Sequence, residues 1–353
     1  MNCLISLCRV VCLLALLSVS AVCVAAPRAA QVLPLTKVAD VPLGGGTTRM
    51  DYASLDPAPH LLFIAHLGDS AVIVFDTRTQ RVVARIPGIS RVHGVLVIPA
   101  LGLVYATATG TDQVVAINED TFKEVARVPA GVYPDGMAYA PDVHKLYVSD
   151  EKGGTDTVID VRTNTRVATI PLGGQVGNTQ YDSVSGHIFA NVQTRRQLAE
   201  IDPATDRVIA RIDLPGARGN HGLQIVPAQR LAFIACEDNA RLLVLNLVSR
   251  RVVATFEVGG DPDVLAMDPR LGWVYVASEA GIVSVFKTHN GAVTESGEGM
   301  LGPDAHVVAV DPMSHYSYFP LKDLRGKAVL RIMDVSRSAA AASTAMPTSS
   351  KPR

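Results

Sequence analysis

The central part of the chain repeats a pattern of short apolar segments separated by polar turns. An aromatic residue lies in one such segment every 42 to 44 residues, at Phe63, Tyr105, Tyr147, Phe189, Phe233, Tyr275 and Tyr318. About 13 residues later another apolar segment ends in Asp or Asn, as at Asp76 and Asn118. A β-branched run such as Val82-Val83-Ala84 follows, and Gly or Pro then restarts the cycle. Apolar segments of about four to seven residues between turn residues are typical of β-strands.

Each repeat therefore contains four predicted strands. Asp or Asn at the end of the third strand accepts backbone N–H groups two residues further on and so favours a tight hairpin to the fourth strand. Four antiparallel strands in a period of about 42 residues are typical of one blade of a β-propeller. Seven repeats predict an all-β fold, a seven-bladed β-propeller of four-stranded antiparallel blades.

The seventh repeat lacks a fourth strand at its own end. Leu330 to Val335 leads directly into the C-terminal segment, whereas Leu35 to Leu43 (LTKVADVPL) precedes the first repeat and resembles fourth strands such as Arg166 to Leu172 (RVATIPL). Pairing this N-terminal strand with the seventh blade closes the ring and leaves no strand edge exposed. We therefore expect the propeller to be closed by an N-terminal strand.

Several repeats resemble those of a known family. Leu146-Tyr147-Val148-Ser149-Asp150 and Val274-Tyr275-Val276-Ala277-Ser278 stand where YVTN-repeat propellers carry Tyr-Val-Thr/Ala-Asn. The segments Tyr133 to Ala138 and Arg166 to Gly173 are also similar to their repeat pattern. The chain thus resembles the YncE-like YVTN-repeat propellers of bacteria over roughly residues 35 to 335. The resemblance implies the propeller fold but no particular activity.

The first 26 residues differ in character from the repeats. A short n-region is followed by the apolar run Val10 to Val24, and Val24-Ala25-Ala26 supplies small residues for cleavage before Pro27. This pattern predicts a secretory signal peptide over residues 1–26, with no transmembrane span after cleavage. Of the five cysteines, only Cys236 lies beyond it, in an apolar strand. Without a disulfide framework, the expected location is periplasmic or secreted.

The remaining boundaries follow from composition. The propeller is expected over residues 27–335, and the Ala/Ser/Thr/Pro-rich segment 336–353 is expected to be a disordered tail. The formal net charge is −1 and Lys and Arg form no cluster, so nucleic acid is not an expected partner. A small ligand or a protein bound at one face of the propeller is expected instead.

One position at the start of each innermost strand is polar in all seven repeats. Aligning the repeats on their aromatic residues places there a set that we call the mouth ring: Asp51, His93, Asp135, Asn178, His221, Asp263 and His306. Three of the nine histidines of the chain fall at this position. Because innermost strands line the channel of a propeller, these side chains are expected to meet at one channel mouth.

The mouth ring has two interpretations. Its imidazoles and carboxylates could bind a polar ligand or a divalent metal (Zn, Cu or Ca), with His93, His221 and His306 as candidate metal ligands. Alternatively, these short polar side chains stabilise the preceding loops beside water. Second strands end at the same face and add the candidates His66, Asp150, Glu237 and Glu279, with Glu151, Asp238 and Lys322 nearby. As exposed loop charges, most of these would serve solubility alone.

Three functional hypotheses follow. The first is an exported binding or scaffold protein that uses the face at the channel mouth. The second is a metal-dependent propeller enzyme of the lyase or lactonase type, in which a metal polarises an oxygen while His93, His221 or His306 moves a proton. The third is a carrier or maturation factor for a metal or tetrapyrrole, with the histidines as ligands.

Overall fold

A computed structural model describes residues 32–336, which form seven four-stranded antiparallel sheets. In six sheets the strands follow one another along the chain from the innermost to the outermost strand. The first three blades consist of β2 (Ala53–Asp56), β3 (Leu61–His66), β4 (Ala71–Asp76) and β5 (Arg81–Pro87); β6 (Val92–Ile98), β7 (Leu103–Ala108), β8 (Gln113–Asn118) and β9 (Glu124–Pro129); and β10 (Pro134–Ala140), β11 (Lys145–Asp150), β12 (Thr155–Asp160) and β13 (Thr165–Pro171).

The next three blades repeat this order. They consist of β14 (Val176–Asp182), β15 (His187–Val192), β16 (Gln197–Asp202) and β17 (Arg207–Asp213); β18 (Asn220–Val226), β19 (Leu231–Cys236), β20 (Arg241–Asn246) and β21 (Arg251–Glu257); and β22 (Pro262–Asp268), β23 (Trp273–Ser278), β24 (Ile282–His289) and β25 (Ala292–Met300). Seven 3-10 turns of three residues each lie between strands of residues 32–336, at Leu67–Asp69, Pro99–Leu101, Thr109–Thr111, Pro141–Val143, Gln193–Arg195, Pro227–Gln229 and Glu237–Asn239. Within the described range, no helix has the length and apolar character needed to cross a membrane.

The seventh blade takes its outer strand from the N-terminal side of the propeller. Its own strands are β26 (Ala309–Val310), β27 (Ser317–Leu321) and β28 (Val329–Val335), and β1 (Leu35–Pro42) pairs antiparallel with β28. The Arg331 guanidinium donates to both carboxylate oxygens of Asp40 across this pair, at 2.7 and 2.8 Å. The predicted closure by an N-terminal strand is confirmed.

The hydrophobic core is divided among the junctions between neighbouring blades. Seven buried apolar clusters occur in the described part of the chain, and each combines side chains from adjacent blades. Phe63 packs in the cluster between blades one and two, whereas Tyr318 packs with Met50 and Leu62 between blades seven and one. Burying an aromatic or aliphatic side chain of this size contributes about 1.5–3 kcal/mol, so the repeated aromatics hold the blades side by side.

The predicted hairpin corners form as the residue types suggest. The Asp76 Oδ1 atom accepts the N–H groups of Arg78 and Thr79 at 2.8 and 2.9 Å, and Asn118 Oδ1 accepts that of Thr121 at 2.9 Å. Cys236 is free and buried at the end of β19, as its apolar neighbours predict. The predicted signal peptide and residues 337–353 of the predicted tail lie outside the described residues.

The innermost strands begin with a bulge in blades two to six. The register shifts between Val92 and Val95 in β6 and between Pro134 and Met137 in β10, with equivalent shifts in β14, β18 and β22. A bulge inserts one extra residue and turns its side chain away from the regular pleat. Neighbouring blades approach so closely here that a Cβ on Gly94 would lie 2.1 Å from the Asp135 carbonyl oxygen. In these five blades the member of the mouth ring lies within the bulged start of the innermost strand.

Candidate functional site

Five of the seven members of the mouth ring line one cavity at an end of the channel. His93, Asp135, His221 and Asp263 are the second residues of their strands, and all seven members of the ring are buried. A cavity of about 330 Å³ opens at this mouth. Its lining includes five members of the ring, Asp51, His93, Asp135, His221 and Asp263, together with Arg49, Leu67, Arg91, Tyr133, Glu151 and Glu237.

Asp263 lies between two other groups of the ring. Its Oδ2 atom is 4.0 Å from His306 Nε2, and its Oδ1 atom is 3.7 Å from His221 Nε2. His221 Nε2 is also 3.5 Å from Asp135 Oδ2, which belongs to blade three across the channel. Asp135, His221, Asp263 and His306 therefore form a connected network of imidazoles and carboxylates within the ring.

Asp51, Asp263 and His306 form the first potential metal site. One ligand atom from each lies within 4.8 Å of the others, and all three side chains are buried. Two ligands of one tetrahedral Zn²⁺ are roughly 3.4 Å apart, so a shift of about 1 Å would close this group around an ion. In the described range, His306 Nε2 has no hydrogen-bond partner. Buried polar atoms without partners are costly, and a bound ion would satisfy them.

The other ring nitrogen of His306 is fixed by its own loop. His306 Nδ1 is 3.0 Å from the Asp304 carbonyl oxygen and 3.4 Å from the Asp304 carboxylate. A proton on Nδ1 donated to these oxygens leaves the Nε2 lone pair for a metal. Lys322 Nζ lies 2.8 Å from Asp304, so the predicted candidate Lys322 supports this residue. Burial lowers the pKa of His306, but Asp304, Asp263 and Asp51 outweigh it and raise the pKa to about 8.

His221, Glu237 and Asp263 form a second group with the same ligand spacing. His221 Nδ1 lies 3.5 Å from Glu237 Oε1 and 3.0 Å from the side-chain amide nitrogen of Gln193. Burial lowers the pKa of His221, yet Glu237, Asp135 and Asp263 together hold it well above the usual value. Burial raises the pKa of Glu237 to about 7, with Asp263 adding to the shift and His221 opposing it.

Arg49 is the principal cation among these carboxylates. Its Nε lies 3.3 Å from Asp51, its Nη2 3.5 Å from Asp263, and its Nη1 donates to Glu279 at 2.5 Å. Burial and the charge of Asp263 raise the pKa of Asp51 to about 6, although Arg49 opposes the shift. One guanidinium therefore does not offset the buried acidic charge of the mouth.

His93 stands apart from the other two histidines. Its Nδ1 is 2.7 Å from the Arg91 carbonyl oxygen, and its Nε2 is 3.0 Å from the Tyr133 hydroxyl. The two potential metal groups found among residues 32–336 each contain one histidine, and neither contains His93. The structure thus does not bring His93, His221 and His306 into one ligand set, because Tyr133 and the loop before β6 hold the His93 ring.

Tyr52 crosses the channel immediately below the ring. Its hydroxyl, on blade one, donates to Asn178 Oδ1 on blade four and lies 3.4 Å from His221 Nε2. Tyr52 and Asn178 also line a cavity of about 270 Å³ further inside the channel. Burial and the carboxylates of Asp135 and Asp263 raise the pKa of Tyr52 well above its usual value. The neutral tyrosine therefore spans the border between the mouth and the inner channel.

The candidates from the second strands divide into two pairs. Glu237 and Glu279 reach the mouth, through His221 and Arg49 respectively. His66 instead contacts Thr48 at 3.0 Å, and Asp150 accepts from the Gly131 N–H at 2.9 Å and from the Thr155 and Thr157 hydroxyls. Neither His66 nor Asp150 lines the mouth cavity, because each is held by the loop beside its own strand.

Four charged or aromatic residues at or just below the mouth are absent from the predicted set. Arg49, Arg91 and Tyr133 each lie two residues before a member of the ring, so extending the repeat alignment by two positions would have found them. Tyr52 follows Asp51, where the aligned residues of other repeats are Gly94, Gly136, Thr179, Gly222, Val264 and Val307. A single aromatic among small residues was the signal for a side chain that fills the channel.

Fold and site define a seven-bladed β-propeller with a buried His/Asp network at one mouth. No known family model matches the sequence, and no curated protein matches it. Solved structures similar to this chain are numerous, since 1715 chains match, and a widely shared fold indicates no function by itself. One of them is hydrazine synthase from Kuenenia stuttgartiensis, with a TM-score of 0.70 and 17% sequence identity over 87% of this chain and 98% of that chain. This similarity concerns the fold alone.

Proposed function

We propose that this chain is an exported metal-binding propeller that holds a divalent metal ion at the channel mouth through Asp51, Asp263 and His306. The observation that carries the proposal is the Nε2 atom of His306. It is buried, has no hydrogen-bond partner within residues 32–336, and faces the carboxylate of Asp263 at 4.0 Å.

The donor set favours Zn²⁺ or Cu²⁺ over Ca²⁺. Ca²⁺ takes six to eight oxygen ligands, whereas imidazole nitrogen combined with carboxylates suits Zn²⁺ and Cu²⁺. Three protein ligands would leave one position of a tetrahedral ion free. That position would face the mouth cavity, where a small polar ligand or a group of a protein partner could bind. The metal would thus link the mouth ring to a binding function of this face.

Metal-dependent catalysis is the second candidate function, and it rests on His93 and Tyr133. Both line the mouth cavity, and His93 Nε2 and the Tyr133 hydroxyl are 3.0 Å apart, outside the proposed ligand set. Such a pair could transfer a proton to or from a substrate bound at a metal, as in a lactonase or lyase. For an enzyme, His93→Ala would abolish lactone hydrolysis or elimination while leaving zinc content unchanged. Lack of turnover by the zinc-loaded wild type on both a lactone panel and a panel of elimination substrates would reject this function.

Export and family membership are parts of the same proposal. The signal-peptide pattern of residues 1–26 supports a periplasmic location, and the Tyr147 and Tyr275 repeats support a place among YVTN-repeat propellers. We expect N-terminal sequencing of the protein from the periplasm to begin at Ala26 or Pro27. A periplasmic chain that still begins at Met1 would contradict cleavage.

Zinc titration tests the metal site. Isothermal titration of Zn²⁺ into chelator-treated protein should show tight binding that Asp263→Asn or His306→Ala weakens by at least about 100-fold. Glu151→Gln is the matched control, because Glu151 lines the same cavity but belongs to neither potential metal group. Equal affinity of all four proteins would reject the proposed function.

A further inference from the structure

The two oxygens of Asp263 face different partners. Oδ2 lies 3.5 Å from Arg49 Nη2 and 4.0 Å from His306 Nε2, whereas Oδ1 lies 3.7 Å from His221 Nε2. Asp263 is 5% exposed, and its Oδ1 atom has no hydrogen-bond partner in the described part of the chain. A buried carboxylate whose oxygens face separate imidazoles has the geometry of a bridging ligand.

We infer that the mouth binds a second divalent metal ion at His221, Glu237 and Asp263, so that Asp263 bridges two ions. This inference rests on the proposed function, since the first ion occupies the Oδ2 side. Ligand atoms of His221, Glu237 and Asp263 lie within 4.8 Å of one another, the same spacing as in the first group. Paired ions in proteins lie about 3.5–4 Å apart, a separation that one carboxylate can span.

The charge around the second group fits a second cation. Asp135 lies 3.5 Å from His221, and its Oδ1 atom is another buried oxygen without a hydrogen-bond partner among residues 32–336. Asp51, Asp135, Asp263, Glu237 and Glu279 together carry five negative charges when ionised, and Arg49 offsets one of them. Two divalent ions would balance the four charges that remain.

Local contacts hold the second group in place. The side-chain amide of Gln193, directly after β15, lies 3.0 Å from His221 Nδ1. With the Gln193 carbonyl oxygen turned towards Nδ1 to accept its proton, His221 Nε2 presents its lone pair to a metal on the Asp263 side. Glu237 begins the 3-10 turn Glu237–Asn239, and its N–H donates to the Gly219 carbonyl at 2.9 Å. His221 lies at the start of β18, and Glu237 directly follows β19, the second strand of the same hairpin in blade five. Blade six supplies Asp263.

Metal stoichiometry distinguishes the two sites. Chelator-treated protein is loaded with Zn²⁺, freed of excess ion, and analysed for bound zinc by mass spectrometry. We expect two ions in wild type, one in Glu237→Gln, one in His306→Ala, and two in the control Glu151→Gln. Asp263→Asn should weaken binding at both sites by at least about 100-fold.

The outcomes separate the inference from the proposed function. One zinc in wild type that persists in Glu237→Gln and is lost in His306→Ala would overturn the second site and leave the first intact. Absence of zinc from all proteins would overturn both. If a variant fails to fold, the bridge can still be tested on the wild-type protein alone by binding Mn²⁺ in place of Zn²⁺. An exchange-coupled electron paramagnetic resonance spectrum at two Mn²⁺ per chain supports the bridge, and a spectrum of isolated ions overturns it.

Discussion

The guanidinium of Arg49 lies 3.5 Å from the carboxylate of Asp263, joining the loop before the first blade to the innermost strand of the sixth. Arg49 also contacts Asp51 and Glu279, so it reaches two of the three proposed ligands of the first metal. The protein thus holds a cation of its own beside the metal site. A metal ion and Arg49 would compete for the same carboxylate charge.

Removing this competing charge should strengthen metal binding. We expect Arg49→Gln to bind Zn²⁺ about tenfold more tightly than wild type, because a positive charge near 4 Å opposes a second cation by about 1 kcal/mol or more. Isothermal titration at constant pH measures the change. Arg91→Gln is the control, since Arg91 lines the same cavity without an ion pair to Asp51 or Asp263 in the described range. Weaker binding by Arg49→Gln would show that Arg49 positions the ligands.

Zinc affinity should depend on pH through His306. Its pKa is raised to about 8, so the imidazole carries a proton at neutral pH that a metal must displace. We expect affinity to rise by up to about tenfold per pH unit between pH 6 and 8 and to level off above. Fluorescent zinc-indicator competition over this range measures it. Constant affinity from pH 6 to 8 would contradict His306 as a ligand.

Ring closure should depend on Arg331 more than on Lys37, although both pair with Asp40. Arg331 is bidentate and 15% exposed, whereas Lys37 lies 3.2 Å from Asp40 and is 55% exposed. We expect Arg331→Gln to lower the free energy of unfolding by about 2 kcal/mol and Lys37→Gln by about 0.5 kcal/mol or less. Urea denaturation compares the two variants. Equal losses would show that the outer strand is held by its backbone pairing alone.

Glu119, at the face opposite the mouth, should make stability fall as pH rises. Burial and the neighbouring Asp56 raise the pKa of Glu119 from 4.5 to about 7. The folded state therefore favours the protonated form, and this contribution is complete below pH 4.5 and lost as pH rises through 7.

Replacing Glu119 with Gln removes this pH-dependent contribution to stability. We expect Glu119→Gln to exceed wild type in stability by about 1 kcal/mol at pH 8 and to differ little at pH 5. Thermal unfolding at the two pH values measures the difference. Glu124→Gln, at an exposed glutamate, is the control. An identical pH dependence in Glu119→Gln and wild type would refute the assigned shift.

The repeat made the fold and the mouth ring predictable from sequence. Equivalent positions of successive blades occupy equivalent places around the axis, so the alignment that located Phe63 and Tyr105 also located His93 and Asp135. The N-terminal closing strand was predictable for the same reason, because LTKVADVPL carries the pattern of an outer strand.

Contacts that cross the ring were not predictable in this way. Arg49 and Tyr52 reach residues on blades four to six, and sequence spacing does not encode how far a side chain extends across a channel. His66 and Asp150 occupy aligned positions, yet local hydrogen bonds to Thr48 and to Thr155 determine their orientation. The repeat thus defines where a side chain starts, and packing defines what it contacts.

Anomalous diffraction at the zinc absorption edge tests the central claim most directly. Crystals of the chelator-treated protein would be soaked in Zn²⁺ and measured on both sides of the edge. The proposed function predicts an anomalous peak at the channel mouth, about 2.0–2.2 Å from His306 Nε2 and from oxygens of Asp51 and Asp263. A map with no peak at these three residues, in a crystal whose mouth is open to solvent, would contradict it.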